Sequence, residues 1–296
     1  MIEMATAYVF PGQGAQFTGM GKDTYDLSGQ AKALYEQADE VLGYALSEVM
    51  FAGNEEELRQ TRITQPAIFV HSTVQYLTAE DPPQPDAVAG HSLGEYSALV
   101  AAGALSFPDA LRLVSARALA MQAATEEEQG TMAAVIGLDE AAIELACSEI
   151  DEVVVPANYN SPGQLVISGS LAGIEQATKV LQDIGARRVL PLPVGGAFHS
   201  PLMAPARDQL RAAIEETNFR PPSCAIYQNV DGSPSVEPAV IRQKLIDQLT
   251  GAVRWSQTIA AMQSAGIDTF VEVGGKGGIL AGLIRKVDRK LSVSQL

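Results

Sequence analysis

The chain has 296 residues, of which 47% are hydrophobic and only 19% charged, and its formal net charge is −15. This composition excludes a disordered protein, and a negative charge without any basic block excludes a nucleic-acid binder. Two cysteines exclude a disulfide framework or a four-ligand zinc site. The N-terminus lacks the positive region of a signal peptide, and no apolar run reaches the roughly 20 residues of a membrane span. We therefore expect a cytoplasmic protein.

The first predicted elements follow the order of an α/β fold. A β-type run at 7–10 ends in a glycine-rich turn, apolar residues at helical spacing cover 28–49, and a buried helix covers 67–77. A stiff proline-rich loop at 81–85 leads to a buried strand at 86–89, a helix at 95–105 and a helix from 108 to about 124.

The middle of the chain has a pattern of its own. Strands are predicted at 131–136, 153–157, 164–168 and 188–194, with helices at 139–150 and 171–184. The resulting order, βαββαβ, is typical of a ferredoxin-like unit, whose close termini permit insertion into a larger domain. We therefore predict a small subdomain at 129–197 and a large α/β catalytic domain formed by 1–128 and 198–296, whose last part returns to helices and a strand at 269–273.

A glycine-flanked serine stands between the strand at 86–89 and the helix at 95–105. The sequence Gly90-His91-Ser92-Leu93-Gly94 matches the nucleophile elbow, a sharp turn that pushes a serine hydroxyl into a pocket. Glycines are needed because side chains at those positions would clash with the strand and the helix. The helix N-terminus offers free N–H groups to an oxyanion. The alternative is a glycine-rich turn with a surface serine.

A serine nucleophile needs a base beside it, and the chain has only three histidines. His91 adjoins Ser92 on a sharp turn, so its side chain should point elsewhere. His71 lies in the apolar helix at 67–77 and is interpreted as a packing residue. His199 lies in a loop, where rigid scaffolds commonly place catalytic groups. By elimination we predict that His199 is the base; the alternative is a solvated loop histidine.

Arg117 lies in a helix that is apolar nearly all round, which predicts a buried guanidinium. A buried guanidinium needs an anionic partner, and the positions one helical turn away are uncharged. Two partners stay open, a distant Asp or Glu and a substrate carboxylate, which arginine can bind with two parallel hydrogen bonds.

Together with further motifs, these residues resemble the malonyl-CoA:acyl-carrier-protein transacylases of fatty-acid synthesis. The matching motifs, in the family's order, are VFPGQGAQ (9–16), GHSLGEY (90–96), Arg117, ANYNSPGQ (157–164), GAFHS (196–200) and Gln248 ahead of VRW (253–255). The resemblance implies a hydrolase-like α/β domain with a central, mostly parallel sheet and a ferredoxin-like insert.

The resemblance also implies a ping-pong acyl transfer. Ser92 would attack the thioester of malonyl-CoA with His199 as base, and the malonyl group would pass to the phosphopantetheine thiol of acyl carrier protein. The backbone N–H groups of Gln13 and Leu93 would form the oxyanion hole, and the backbone carbonyl of Gln248 would orient the histidine. The implied substrate-binding residues are Arg117, which would hold the malonyl carboxylate, and Phe198, Met121, Asn160 and His91.

The ring of Phe198 would leave little room for a branching methyl, which favours malonyl over methylmalonyl. No cofactor, no metal, no nucleic-acid partner and no membrane are expected, and we expect a monomer.

Three positions depart from the family's pattern. Ala15 and Gly195 stand where serine is common, and the segment EVGGKGGIL (272–280) lacks the usual Gly-Pro-Gly and is one residue longer. A missing proline and extra glycine raise the entropy lost when that loop is ordered.

The carrier protein is expected to be strongly acidic, as this chain is, so docking needs a local basic patch. The candidate docking residues are Arg285, Lys286, Arg289 and Lys290, with Arg187 and Arg188 second. A solvated basic helix end is the alternative.

Two other functions compete with the transacylase. A serine thioesterase or other hydrolase would use the same elbow but admit water to the acyl-enzyme. A non-catalytic module that binds the carrier protein would have no reason to keep Ser92, His199, Arg117 and Gln248 together.

Overall fold

The structure, a computed structural model, describes residues 5–80 and 84–296. Residues 81–83 of the predicted proline-rich loop, and residues 1–4 of the N-terminal segment, lie outside the described residues.

Ten strands and thirteen α-helices make up the described chain. The strands are β1 (Ala5–Phe10), β2 (Ala87–Gly90), β3 (Gly130–Ile136), β4 (Val154–Ser161), β5 (Gln164–Ser170), β6 (Arg188–Pro191), β7 (Ala225–Tyr227), β8 (Pro234–Ser235), β9 (Ile267–Glu272) and β10 (Ser292–Gln295). The helices are α1 (Lys22–Leu27), α2 (Gly29–Leu42), α3 (Leu46–Ala52), α4 (Glu55–Arg59), α5 (Thr61–Thr78), α6 (Gly94–Ala101), α7 (Phe107–Glu127), α8 (Glu140–Ser148), α9 (Leu171–Asp183), α10 (Ala204–Glu216), α11 (Pro238–Asp247), α12 (Trp255–Ser264) and α13 (Ile279–Val287).

A six-stranded, mostly parallel sheet forms the centre of the molecule, in the order β10-β9-β1-β2-β7-β8. Every pair is parallel except β7 with β8, which is antiparallel. All four residues of β2 are buried, as expected for a parallel strand covered by helices on both faces. The carboxyl ends of β1, β2 and β9 therefore meet at one edge, where an open α/β sheet usually binds its ligand.

A four-stranded antiparallel sheet, in the order β4-β5-β3-β6, carries α8 and α9. The observed element order is the predicted βαββαβ. A separate apolar cluster, which includes Ile143, Ile167 and Leu181, fills the space between the sheet and its two helices. Asp139 caps α8 as predicted, because its side chain accepts a hydrogen bond from the backbone N–H of Ala142.

Several predicted boundaries were wrong for local reasons. The helical spacing at 28–49 is divided between α2 and α3, because Gly43 adopts a left-handed conformation (φ 74°) that ends α2. Helix α5 begins at Thr61 rather than 67, and contains Pro66. Strand β6 ends at Pro191 rather than 194. Strands β7, β8 and β10 were not predicted; they are short, and their place in the sheet depends on the strands with which they pair.

Candidate active site

The turn after β2 is a sharp elbow that Ser92 enters with a left-handed backbone (φ 51°). A Cβ atom at Gly90 would lie 1.8 Å from the carbonyl carbon of Gly94, and a Cβ at Gly94 would lie 2.0 Å from the carbonyl oxygen of Phe10. Both distances are far below contact, so only glycine fits at either position. The elbow raises the serine hydroxyl above the carboxyl edge of the sheet and begins α6.

The hydroxyl of Ser92 meets His199, with 2.7 Å between Oγ and Nε2. His199 also has a left-handed backbone (φ 59°), in the loop between β6 and α10, and is buried. Its Nδ1 lies 2.9 Å from the carbonyl oxygen of Gln248 and 3.2 Å from that of Gly251. Because both neighbours of Nδ1 are acceptors, we assign the proton to Nδ1, which leaves Nε2 free to accept the serine proton.

The carbonyl of Gln248 is available because α11 ends there. Gln248 is the C-cap residue, so its carbonyl has no partner within the helix. The negative end of the α11 dipole thus faces the imidazole of His199 and favours its protonated form. Burial and the positive charge of Arg117 act in the opposite direction, and together they lower the pKa of His199 to about 3.

Arg117, on α7, is 1% exposed and is held by neutral groups. It donates from Nη1 to Gln65 Oε1 at 2.8 Å, and from Nη2 to Ser92 Oγ at 3.0 Å and Gln248 Oε1 at 3.2 Å. Residues 5–80 and 84–296 offer it no ion pair, so no Asp or Glu contacts it directly. Burial lowers the pKa of Arg117, and the buried carboxylate of Glu95 nevertheless attracts its charge and acts to raise that pKa. Its Nε is buried and has no hydrogen-bond partner in the described chain.

The side chain of Glu95, on α6, is a polar hub that sequence reasoning missed. The carboxylate is fully buried and accepts from Gln228 Nε2 at 2.9 Å, Asn229 N at 3.0 Å and Gln248 Nε2 at 3.0 Å. Burial raises its pKa, and these donors act against that shift. An acid directly after the elbow, in a helix otherwise rich in Ala and Leu, was the available signal.

Asn229 and Gln65 also belong to the site and were not predicted. Asn229 Oδ1 accepts from the backbone N–H of Ser92 at 2.7 Å, and its Nδ2 donates to the carbonyl of Gly90 at 2.7 Å. It therefore fixes both sides of the elbow. No local pattern marks either residue, because each acts on groups far away in the sequence.

A cavity of about 250 Å³ opens onto Ser92. Among the predicted site residues, Gln13, His91, Leu93, Arg117, Met121, Phe198 and His199 line it. No hydrogen bond occupies the backbone N–H of Gln13 or Leu93 within the described residues. Asn160 is not in the lining; its Oδ1 lies 2.8 Å from Nε2 of His91.

The remaining predicted residues lie elsewhere. Arg285 donates to the carbonyl of Val293 at 3.1 Å, and Lys286 Nζ donates to Gln164 Oε1 at 2.7 Å. Arg187 and Arg188 are exposed at the start of β6, and none of the four lines the cavity. His71 is buried in α5 and packs edge-on against Phe17, as interpreted; burial lowers its pKa to about 4.

The described residues form neither a metal-ligand cluster nor a membrane-spanning helix. Across 5–80 and 84–296, no group of three or more His, Cys, Asp or Glu side chains is suited to a metal ion. Over the same residues, no helix is both long and apolar enough to cross a membrane.

Comparison with known proteins decides the family. The acyl transferase domain family matches residues 7–296. The chain belongs to this family of acyl transferases. Malonyl CoA-acyl carrier protein transacylase of Bacillus subtilis is 43% identical over 289 residues, covering 96% of this chain and 91% of the relative. The Escherichia coli K12 protein of the same name is 41% identical over 294 residues, covering 98% and 95%.

Solved structures of acyl transferases give the same result. The malonyl CoA-acyl carrier protein transacylase of Coxiella burnetii superposes with a TM-score of 0.95 at 39% identity, covering 99% of this chain and 94% of that one. A malonyl-transacylase in complex with a type II polyketide acyl-carrier protein superposes with a TM-score of 0.94 at 38% identity, covering 99% and 96%. The predicted resemblance is confirmed, and this acyl transferase has a mixed α/β fold with a parallel-rich sheet and a second, antiparallel sheet.

Proposed function

We propose that the chain transfers a malonyl group from malonyl-CoA to the phosphopantetheine thiol of acyl carrier protein in fatty-acid synthesis. One observation carries the proposal: in one cavity, a serine hydroxyl lies 2.7 Å from a base and 3.0 Å from a buried guanidinium that forms no ion pair with the described residues. The serine and base suit acyl transfer, and the guanidinium suits an acyl group that ends in a carboxylate.

In the first half-reaction, Ser92 Oγ attacks the thioester carbonyl while His199 Nε2 takes its proton. The oxyanion is stabilised by the free N–H groups of Gln13 and Leu93. When the tetrahedral intermediate collapses, the carbon–sulfur bond breaks, and the CoA thiolate leaves with the proton from His199. The products are malonyl-Ser92 and free CoA.

In the second half-reaction, the thiol of the carrier protein replaces CoA. His199 takes the thiol proton, the sulfur attacks the ester carbonyl of malonyl-Ser92, and the proton returns to Ser92 Oγ as the ester bond breaks. Gln248 supplies a neutral carbonyl in the position where many hydrolases place an acid. The reaction needs malonyl-CoA as donor and no other cofactor.

Arg117 would select the acyl group by binding the malonyl carboxylate. A bound carboxylate would also offset the positive charge that lowers the pKa of His199. Substrate recognition would therefore make the base stronger, which a neutral acyl group could not do. The ring of Phe198 lies in the cavity lining, where it would crowd a branched α-carbon.

The proposed architecture is a hydrolase-like catalytic domain, 1–128 and 198–296, with a ferredoxin-like subdomain at 129–197. The separate apolar cluster between the antiparallel sheet and its helices supports the division. A cytoplasmic location and a monomeric state stay predictions.

The experiment mixes the chain with malonyl-CoA and holo acyl carrier protein and separates malonyl-carrier protein from free malonate. Transfer predicts malonyl-carrier protein in the same amount as released CoA. The thioesterase alternative predicts malonate and CoA without loaded carrier. Arg117→Ala should abolish most malonyl transfer, whereas a hydrolase of neutral acyl groups would tolerate it.

A further inference from the structure

The active-site cavity is lined by two guanidinium groups and, within the described chain, by no carboxylate. Arg117 lies buried beside Ser92, and Arg59, at the end of α4, is exposed at the opening. The chain as a whole carries a net charge of −15. A cavity whose charged lining side chains are both guanidinium groups, in such an acidic protein, favours a ligand that is negative at both ends.

A second cavity, of about 330 Å³, continues outward from the first. Both are lined by Gly14, Gln16 and Arg59, and the outer one adds Lys276 and Glu55. Arg59 also lines a smaller opening beside Phe198. Arg59 thus stands where the active-site cavity meets the surface, with Lys276 across the same outer cavity.

Lys276 is held in place by the loop that distinguishes this chain. Its backbone N–H donates to the carbonyl of Ala15 at 3.2 Å. On either side, Gly275 (φ 65°) and Gly277 (φ 73°) have left-handed conformations. A Cβ atom at Gly275 would lie 2.7 Å from that of Ala15, so the loop packs directly on the segment that carries Gln13. The glycines on either side therefore place Lys276 at the mouth of the site.

Arg59 is available to a ligand despite its partner. It donates from Nη2 to Glu55 at 2.8 Å, and the side chains are 62% and 78% exposed. Exposed pairs of this kind contribute little to stability, so a phosphate can replace the carboxylate at small cost. Arginine also binds phosphate with two parallel hydrogen bonds, as it binds a carboxylate.

We propose that Arg59 and Lys276 bind the phosphate that ends the pantetheine arm of the thioester substrate. The inference rests on the proposed function, in which both the donor and the acceptor present a thiol on such an arm. Arg117 then holds the carboxylate at one end, and the outer pair holds the phosphate at the other. Both sources present a phosphate at that position: in coenzyme A the arm ends in a diphosphate, and in the carrier protein it ends in a phosphodiester.

The test compares malonyl-CoA with malonyl-pantetheine, which carries the same thioester without phosphate. For Arg59→Gln with Lys276→Gln, we expect the KM of acylation by malonyl-CoA to rise about tenfold, with malonyl-pantetheine unchanged. The rise should shrink at high salt, because exposed charges are screened. Arg62→Gln is the matched control: it removes an exposed guanidinium three residues away that lines neither cavity.

Equal changes with both donors, or no change with either, would overturn the phosphate site. A second arm removes malonyl from the acylated enzyme with CoA, with holo carrier protein, or with pantetheine. Slower removal by CoA alone assigns the site to the phosphates of CoA. Slower removal by both CoA and the carrier protein assigns the site to the phosphopantetheine arm that the two share. Slower removal by pantetheine contradicts the phosphate site. Failure of the wild-type chain to be acylated by either donor would instead count against the proposed function.

Discussion

The base of the site, His199, is set between two carbonyl oxygens rather than beside a carboxylate. Its Nδ1 faces Gln248 and Gly251, and its ring is buried next to the positive charge of Arg117. Burial and that charge lower the pKa of His199 from the usual 6.5 to about 3. The ring is therefore neutral, and able to accept a proton, well below the pH at which an ordinary histidine would be protonated.

A pH profile of acylation tests this environment. Because the free enzyme keeps His199 neutral, kcat/KM for malonyl-CoA should stay flat from about pH 8 down to about pH 5. Arg117→Ala should move the acid limb toward higher pH, since it removes a charge that lowers the pKa of His199. Fluorescence of Trp255, which is buried, checks that the protein stays folded at each pH. An acid limb near 6.5 in the wild type would contradict the assignment.

Phe198 is the residue that we expect to set selectivity for the acyl group. The side chain is buried beside His199 and lines the cavity, so it should exclude a methyl branch on the acyl group. Phe198→Ser should raise the ratio of methylmalonyl to malonyl acylation by about 10- to 100-fold, the range that one methyl gives in an apolar pocket. Competition between the two CoA thioesters measures it. An unchanged ratio would show that another group sets selectivity.

The buried carboxylate of Glu95 links α6, through hydrogen bonds, to the segments that carry Gln228, Asn229 and Gln248. Asn229 in turn binds the backbone of the elbow, and Gln248 supplies the carbonyl that faces His199. One side chain on α6 therefore sets the distance between nucleophile and base. It acts as a positioning residue, because it touches neither Ser92 Oγ nor the imidazole.

Glu95→Gln replaces an acceptor of three hydrogen bonds with a group that is partly a donor. We expect kcat of acylation to fall about 10- to 100-fold, because removing one hydrogen bond to a buried charge costs about 1–3 kcal/mol. KM for malonyl-CoA should change little. Steady-state kinetics with each half-reaction separated gives both numbers.

Glu272→Gln is the matched control for Glu95→Gln. Glu272 is equally buried, and its carboxylate accepts from the backbone N–H groups of Ile279, Leu280 and Ala281 at the start of α13. This variant should lower the free energy of unfolding without lowering kcat. Equal losses of kcat in the two variants would reduce Glu95 to a general structural role.

Sequence patterns predicted elements whose cause is local. The elbow followed from its glycines, and the βαββαβ order from alternating strand and helix patterns with Asp139 as a cap. Short strands such as β7 escaped because their place in the sheet depends on the neighbouring strand β2 rather than on their own residues. The ending of α2 at Gly43 was readable in principle, since glycine commonly ends helices.

The polar contacts of the site could not be read in the same way. The neutral partners of Arg117 come from α5, the elbow and the end of α11, which are more than 20 residues away in sequence. Gln65 and Asn229 look like ordinary polar residues until the fold brings them to the elbow. The role of the Gln248 carbonyl came from the family resemblance, because backbone atoms leave no mark in a sequence.

The net charge of −15 on the chain opposes the binding of an acidic partner. Local cations must outweigh that repulsion if a carrier protein is to dock. Arg285 and Lys286 are exposed on the last turn of α13, and Lys286 donates to Gln164 at the start of β5. These two residues therefore lie where the large sheet's last helix meets the antiparallel sheet, and they remain the proposed docking residues.

Reversing both charges, Arg285→Glu with Lys286→Glu, should raise KM for the carrier protein about five- to tenfold and leave acylation by malonyl-CoA unchanged. Lys32→Glu with Lys179→Glu is the matched control, because it changes the net charge equally at two exposed lysines elsewhere. If control and test variants weaken transfer equally, the global charge rather than a local patch governs docking.

Intact-protein mass spectrometry after brief mixing with malonyl-CoA shows whether Ser92 carries the acyl group. We expect a malonyl-sized mass increase on the wild type, none on Ser92→Ala, and its loss when holo carrier protein is added. An adduct that persists in Ser92→Ala, or release of CoA without any adduct and without loading of the carrier, would contradict it.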